Sequence, residues 1–326
     1  MSMNKTLEAI SVENYRPHWL HAGATLWQQS NCYVDLWIEM LHSLQLNPIA
    51  SFAFTLTTEF EGDQWTFFKV PLHDLFLLYG IDVQELQIWD SLPRHIYTQT
   101  QRNRLVLVEL DAFYLPDVGY SSYHCEHEKT TVGIQRIDFE ARQLDYFHNS
   151  GLYTLHGADF EQIFHLGEGA ETLPLPPYVE FAKIDRLQRH TDGELAVIAS
   201  GLLREHFERR PTSNPFSLYR SYFEQYLASL SERTLADFHK DAFATMRQYG
   251  ASFEYAAYFL KWLADYGGES LREAASACEE ISGIAQVLLL KTARAVRSKK
   301  PFEYQAFLDP MEAHWDQVME RIASVW

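Results

Sequence analysis

Three residues in the first half of the chain have the types that thiol chemistry combines: a cysteine, a histidine and an asparagine. Cys32 stands where the polar stretch Trp27-Gln28-Gln29-Ser30-Asn31 runs into an apolar-periodic one. A thiol attacks as its thiolate, so it needs a base to hold its proton, and the base needs a third group to fix its tautomer. His127 is the candidate base and Asn149 the candidate orienting group, with His124 and His148 as rivals for the first role and Asp145 for the second. The run His124-Cys125-Glu126-His127 carries metal-type ligands, but no second paired cluster of Cys or His completes a four-ligand set, so no metal is expected. No GxGxxG, P-loop or GxSxG pattern occurs, and no cofactor is expected.

These residues need elements to position them. From Tyr33, apolar residues recur at Leu36, Trp37, Met40, Leu41 and Leu44, the spacing of a helix with one buried face. Ser30 or Asn31 is expected to cap it, which leaves Cys32 at the helix start, where unpaired amides and the macrodipole favour an anion. The competing reading is a free cysteine that only fills space. Leu105–Leu110, Thr130–Ile137 and Gln143–His148 read as strands, so that His127 precedes the second and Asn149 follows the third. Phe52–Thr58 and Trp65–Phe68 also read as strands, and His73–Tyr79 and Val83–Trp89 as short helices. His95–Arg104 is polar and reads as helical.

The run GEGAETLPLPP, residues 167–177, holds three prolines and two glycines and marks the expected domain boundary. Beyond it, six segments with helical spacing run from Leu195 to Val325. The expected organisation is an α+β domain over residues 1–172 followed by an all-α domain over 173–326. A chain of 326 residues with 47% hydrophobic residues can bury a sizeable core. Its 27 Lys and Arg against 44 Asp and Glu leave a formal charge of -17, which argues against general nucleic-acid binding. Three cysteines cannot all pair, and no apolar run reaches the length of a membrane span, so a cytoplasmic protein is expected.

The order of Cys32 at a helix start, His127 at a strand start and Asn149 at the end of the next strand is the order used by papain-like cysteine enzymes. The pattern Asn31-Cys32, Asp111-Ala112-Phe113-Tyr114-Leu115-Pro116, His127 and His148-Asn149 resembles the N-terminal domain of the butirosin-biosynthesis acyltransferase family. The phrases NCYVDLWIEMLH, FEGDQWTFFK, LYGIDVQEL and YFHNSG resemble a bacterial family of unknown function along nearly the whole chain. The first resemblance implies a papain-like fold, Cys32 as nucleophile, His127 as base, Asn149 as orienting group, and transfer of an acyl or aminoacyl group from a carrier-protein thioester to a small-molecule amine. Papain-like enzymes take an oxyanion donor from a glutamine about two turns before the cysteine. Here Gln28 and Gln29 lie four and three residues before it and are the candidates.

A cysteine amidase or peptidase on the same fold, and a non-catalytic binding or scaffold protein, are the alternatives. Asp111 and Tyr114 are candidate substrate contacts, although Asp111 at a strand end equally caps a loop. Lys291, Arg294 and Arg297, with Lys299 and Lys300 beyond, form a basic group at a helix end and a candidate docking patch for an acidic carrier. Cations at a helix C-terminus are also favoured by the dipole alone.

Overall fold

The computed structural model of the protein describes residues 10–23, 25–119, 121–166 and 175–326. The chain divides into two units. The first holds the described residues up to Gly23, with Cys32–Pro48 and Leu72–Arg189; the second holds residues 25–31, Ile49–Pro71 and His190–Trp326.

In the first unit, α1 (Cys32–Ser43) begins on the cysteine, as the apolar spacing predicts. It is followed by α2 (Leu72–Tyr79), β1 (Asp82–Glu85), α3 (Leu92–Gln101), β2 (Arg104–Asp111), β3 (Lys129–Asp138), β4 (Gln143–His148), β5 (Gly151–His156), α4 (Ala158–Ile163) and β6 (Val179–Lys183). The six strands form one antiparallel sheet in the order β1-β6-β2-β3-β4-β5. Side chains alternate across it. Val106, Val108 and Leu110 of β2 and Val132 and Ile134 of β3 meet Ile96 of α3 and Phe160 of α4 in one buried cluster. The other face takes α1. Gly133 of β3 makes that approach close, since a Cβ there would lie 2.8 Å from both Leu36 Cδ1 and Met40 Sδ.

Three expectations fail here for physical reasons. Val83–Trp89 is not a helix: Asp82–Glu85 pairs with β6 as a short edge strand, and the segment has too few buried positions for one packed helix face, with Val83 buried and Gln84 and Glu85 exposed. Phe52–Thr58 is not a strand but part of a 3₁₀ segment over Pro48–Thr57, where Phe52, Ala53, Phe54 and Leu56 are all buried and no alternation survives. Trp65–Phe68 supplies only the isolated bridge Phe60–Trp65. The expected boundary also moves. Residues 167–174 of the Pro/Gly run lie outside the described residues, and β6, beyond it, fills the sheet between β1 and β2, so the first unit runs on to Arg189.

The second unit is helical: α5 (Asp192–Glu208), α6 (Pro215–Ala228), α7 (Leu235–Ala244), α8 (Met246–Gly267), α9 (Glu269–Ser298) and α10 (Gln305–Ala323). Thr191 and Glu194 form a capping box on α5, and Thr234 and Asp237 form another on α7. α7 ends at its C-cap Thr245, whose backbone leaves the helical region at φ -121° and ψ -94°, and α8 starts directly after it. Residues 25–31 and Ile49–Pro71 join this unit through aromatic anchors. Trp27 Nε1 donates to Ser282 Oγ at 2.8 Å, and Trp65 packs on Phe216, Tyr219 and Tyr249. Among the described residues no helix is long and apolar enough to cross a membrane.

Candidate active site

Cys32 is the first residue of α1 and is partly exposed. Two sets of contacts hold the helix in place. At its start, Tyr33 Oη donates to Glu180 Oε2 at 2.9 Å, and Tyr178 Oη donates to Glu180 Oε1 at 2.8 Å. Burial and the Glu180 carboxylate push the Tyr33 phenol up, so it remains a donor. Nearly two turns on, Glu39 accepts from Tyr15 Oη and from the His18 amide (3.1 Å), and His21 bridges Glu39 (2.5 Å) and Asp35 (3.3 Å). Burial lowers the affinity of His21 for a proton, but hydrogen bonds and charge from Asp35 and Glu39 together outweigh it and bring the imidazole up to about 9. Residues 15–21 are thereby tied to the buried side of α1.

The sheet register then decides which histidine shares a face with the cysteine. Leu107 pairs with both Gly133 and Glu180, which puts Leu107, Glu109 and Asp111 on the α1 side by alternation. Asp111, at the end of β2, meets His127 there: Oδ2 accepts from Nδ1 at 2.6 Å while Oδ1 accepts the Phe113 amide at 3.1 Å. The Phe113 ring stacks on the imidazole, 4.2 Å between centroids and 13° between planes, and Tyr114 stands edge-on at 6.3 Å. With Nδ1–H given to Asp111, Nε2 is the ring's open acceptor, the tautomer a general base needs. A shallow depression of about 330 Å³ opens beside the pair, bordered by Glu109, Lys129 and Pro177, with Lys129 Nζ donating to Glu109 Oε1 at 2.6 Å. Cys32 lies outside its lining, and no hydrogen bond joins Cys32 to His127 among the described residues.

The rivals separate on geometry. Phe147 pairs with Gly133 on the α1 side, so His148 points to the opposite face. There it is buried with both nitrogens engaged, Nδ1 on Asp117 Oδ2 at 2.6 Å and Nε2 on Thr130 Oγ1 at 2.8 Å, while Tyr146 Oη donates to Asp117 Oδ1 at 2.5 Å. His124 is exposed and pairs with Asp159 at 3.0 Å. Asp145 accepts from Gln143 and Thr154 and pairs with Arg136.

Asn149 occupies the β4–β5 turn with φ 45°, and His127 has Asp111 where an asparagine was expected. Gln28 and Gln29 belong to the second unit, their side chains exposed and their carbonyl oxygens accepting from Arg247 Nη2 at 3.1 and 3.2 Å. Lys291, Arg294 and Arg297 are exposed on α9. Among the described residues no group of three or more His, Cys, Asp or Glu side chains could hold a metal ion. The stacking of Phe113 on His127 and the bonds of Asp117 and Thr130 to His148 had no signal in the sequence, because they arise only from the fold of the β2–β3 connection and the β3–β4 pairing.

Two family models account for most of the chain. Residues 16–184 match the DUF1839 N-terminal domain and residues 192–324 the DUF1839 C-terminal domain. The chain belongs to the DUF1839 family. The first DUF1839 match ends just past β6, at Lys183, and the second opens with α5, at Asp192. Comparison with curated proteins finds no match.

Proposed function

We propose that the protein is a papain-like thiol acyltransferase in which Cys32 is the nucleophile, His127 the general base and Asp111, in place of Asn149, the orienting group. The observation that carries this reading is the Asp111–His127 pair on the sheet face that receives α1, the helix that begins on Cys32. An aspartate there does what the triad's third member does, holding the Nδ1–H tautomer and favouring the imidazolium as it forms.

The reaction runs in two balanced steps. The Cys32 thiolate adds to the carbonyl carbon of a carrier-protein thioester, the carrier's C–S bond breaks, and the leaving thiolate takes the proton held on His127. An amine then attacks the acyl-Cys32 carbonyl, His127 removes the amine proton as the amide forms, and the Cys32 thiolate is released. The imidazole is 67% exposed, so water reaches it and hydrolysis competes when no amine is present; this favours the amidase or peptidase activity as the second reading.

Intact-mass measurement after incubation with acyl and aminoacyl thioesters tests the proposal. A mass gain equal to the acyl group, confined to Cys32 and discharged by an amine, supports it. A protein that stays unmodified with every donor is a binding protein and not a transferase.

A further inference from the structure

The exposed positions along the C-terminal half of α9 include Val287, Leu290, Lys291, Arg294 and Arg297. Steps of three and four residues gather them into one stripe on the helix. Val287 is 46% and Leu290 67% exposed, one turn apart on the helix. Lys291, Arg294 and Arg297 have no carboxylate within ion-pair distance among the described residues. Elsewhere in the same unit Arg220, Lys261, Arg272 and Arg321 each hold one, and Lys299 donates to the Arg233 carbonyl oxygen. The helix dipole explains only part of this. Its influence fades within the last turn, which takes in Arg297 but not Lys291, about two turns before the end at Ser298.

We infer that this stripe docks an acidic amphipathic helix of a partner protein; under the thioester reading, on which the partner's identity rests, that protein is the acyl carrier. The stripe sets an aliphatic pair, Val287 and Leu290, directly before three cations along one helix face, the two kinds of group a protein contact combines. Three unpaired cations give an acidic partner a local attraction that a chain of charge -17 otherwise denies it. From Val287 to Arg297 the stripe spans about 15 Å, which suits a transient encounter and not a permanent assembly. Two aliphatic side chains offer too little apolar area for a helix to settle into a lipid interface. The overall negative charge disfavours a nucleic acid.

The test uses the full chain and a fluorescently labelled, negatively charged holo carrier protein, with binding read by anisotropy across a NaCl series. The variants are the double charge reversal Arg294→Glu with Arg297→Glu, the single Leu290→Ser, and Arg204→Glu on α5 as a charge control. Transfer is measured in parallel from the carrier thioester and from the same acyl group on N-acetylcysteamine. The double reversal should weaken carrier binding at least about tenfold and flatten its salt dependence. Leu290→Ser should weaken binding with the salt dependence kept, and Arg204→Glu should change neither. Transfer from the small thioester should be unchanged in all three. Wild-type affinity in both stripe variants overturns the inference, as does stripe-dependent binding to phosphatidylserine vesicles without binding to the carrier. Carrier binding that depends on the stripe while no donor acylates Cys32 keeps the docking surface and removes the transferase reading.

Discussion

Asp111 uses its two carboxylate oxygens for two jobs, accepting the Phe113 amide through Oδ1 and the His127 imidazole through Oδ2 at 2.6 Å. The carboxylate is thus oriented by its own turn before it holds the imidazole. Under the proposed mechanism, an imidazole held this way should show in the reactivity of Cys32. Iodoacetamide at mildly acidic pH is expected to label Cys32 ahead of exposed Cys125, and Cys278 last, because burial pushes that thiol well up. His127→Ala should slow Cys32 labelling at least about tenfold. Equal rates for Cys32 and Cys125 in the native protein would remove the thiol–imidazole pairing.

Asp111→Asn tests the orienting role against Asn149→Ala. An asparagine can present its amide to His127 and reverse the tautomer, so transfer should fall by roughly 100-fold or more while circular dichroism stays native. Asn149→Ala should cost little in rate. The opposite ranking would return the orienting role to Asn149.

His148→Ala separates stability from chemistry. It leaves Asp117 Oδ2 and Thr130 Oγ1 without the imidazole they bond, while Tyr146 still holds Asp117 Oδ1, which should cost about 1–3 kcal/mol in urea unfolding. Cys32 alkylation in the folded variant should keep its rate, since His148 points away from the α1 face. A slowed alkylation would make His148 the base instead of His127.

Gly133→Val should drive side-chain carbon into Leu36 and Met40 and lift α1 from β3. The expected loss is about 1–3 kcal/mol, with a fall in transfer that exceeds the loss of folded protein. Equilibrium unfolding and single-turnover transfer, measured on the same preparation, decide it. A variant as stable as the parent would mean that the helix yields at no cost.

The buried His21 predicts a pH dependence of stability. Its folded value, about 9, lies above the ordinary histidine value of 6.5, so its contribution is complete below pH 6.5 and is lost as pH rises through 9. The size is on the order of 3 kcal/mol. His18 has the opposite sign: burial and the neighbouring His42 and His21, against Glu39, hold it down at about 4. Its neutral form is the stabilised one, and stability falls as pH drops from 6.5 toward 4. Chemical denaturation from pH 5 to pH 10 should therefore peak between the two limbs. His21→Gln should flatten the alkaline limb; a parent-like alkaline limb in that variant would assign the loss to another group.

Much of the candidate site was legible because it lies on regular elements. The apolar spacing from Tyr33 placed Cys32 at a helix start, and β-branched runs placed β2, β3 and β4 within a residue or two. What could not be read was the partner of His127. Asp111 is 16 positions away, and only the antiparallel return of β3 along β2 brings the two together. The miss at Phe52–Thr58 has another cause. Aromatic density signals burial, and burial on every side removes the alternation that tells a strand from a helical turn.

The chain also crosses between its two units more often than its two family matches suggest. Trp27 and Trp65 precede residue 184, yet their partners Ser282, Phe216 and Tyr249 all follow residue 192. Recombination at the junction between the matches would exchange linear halves without exchanging cores, leaving each indole facing a foreign helix. Under that constraint the two halves are expected to have been inherited together, and their junction is a poor place to swap one N-terminal domain for another.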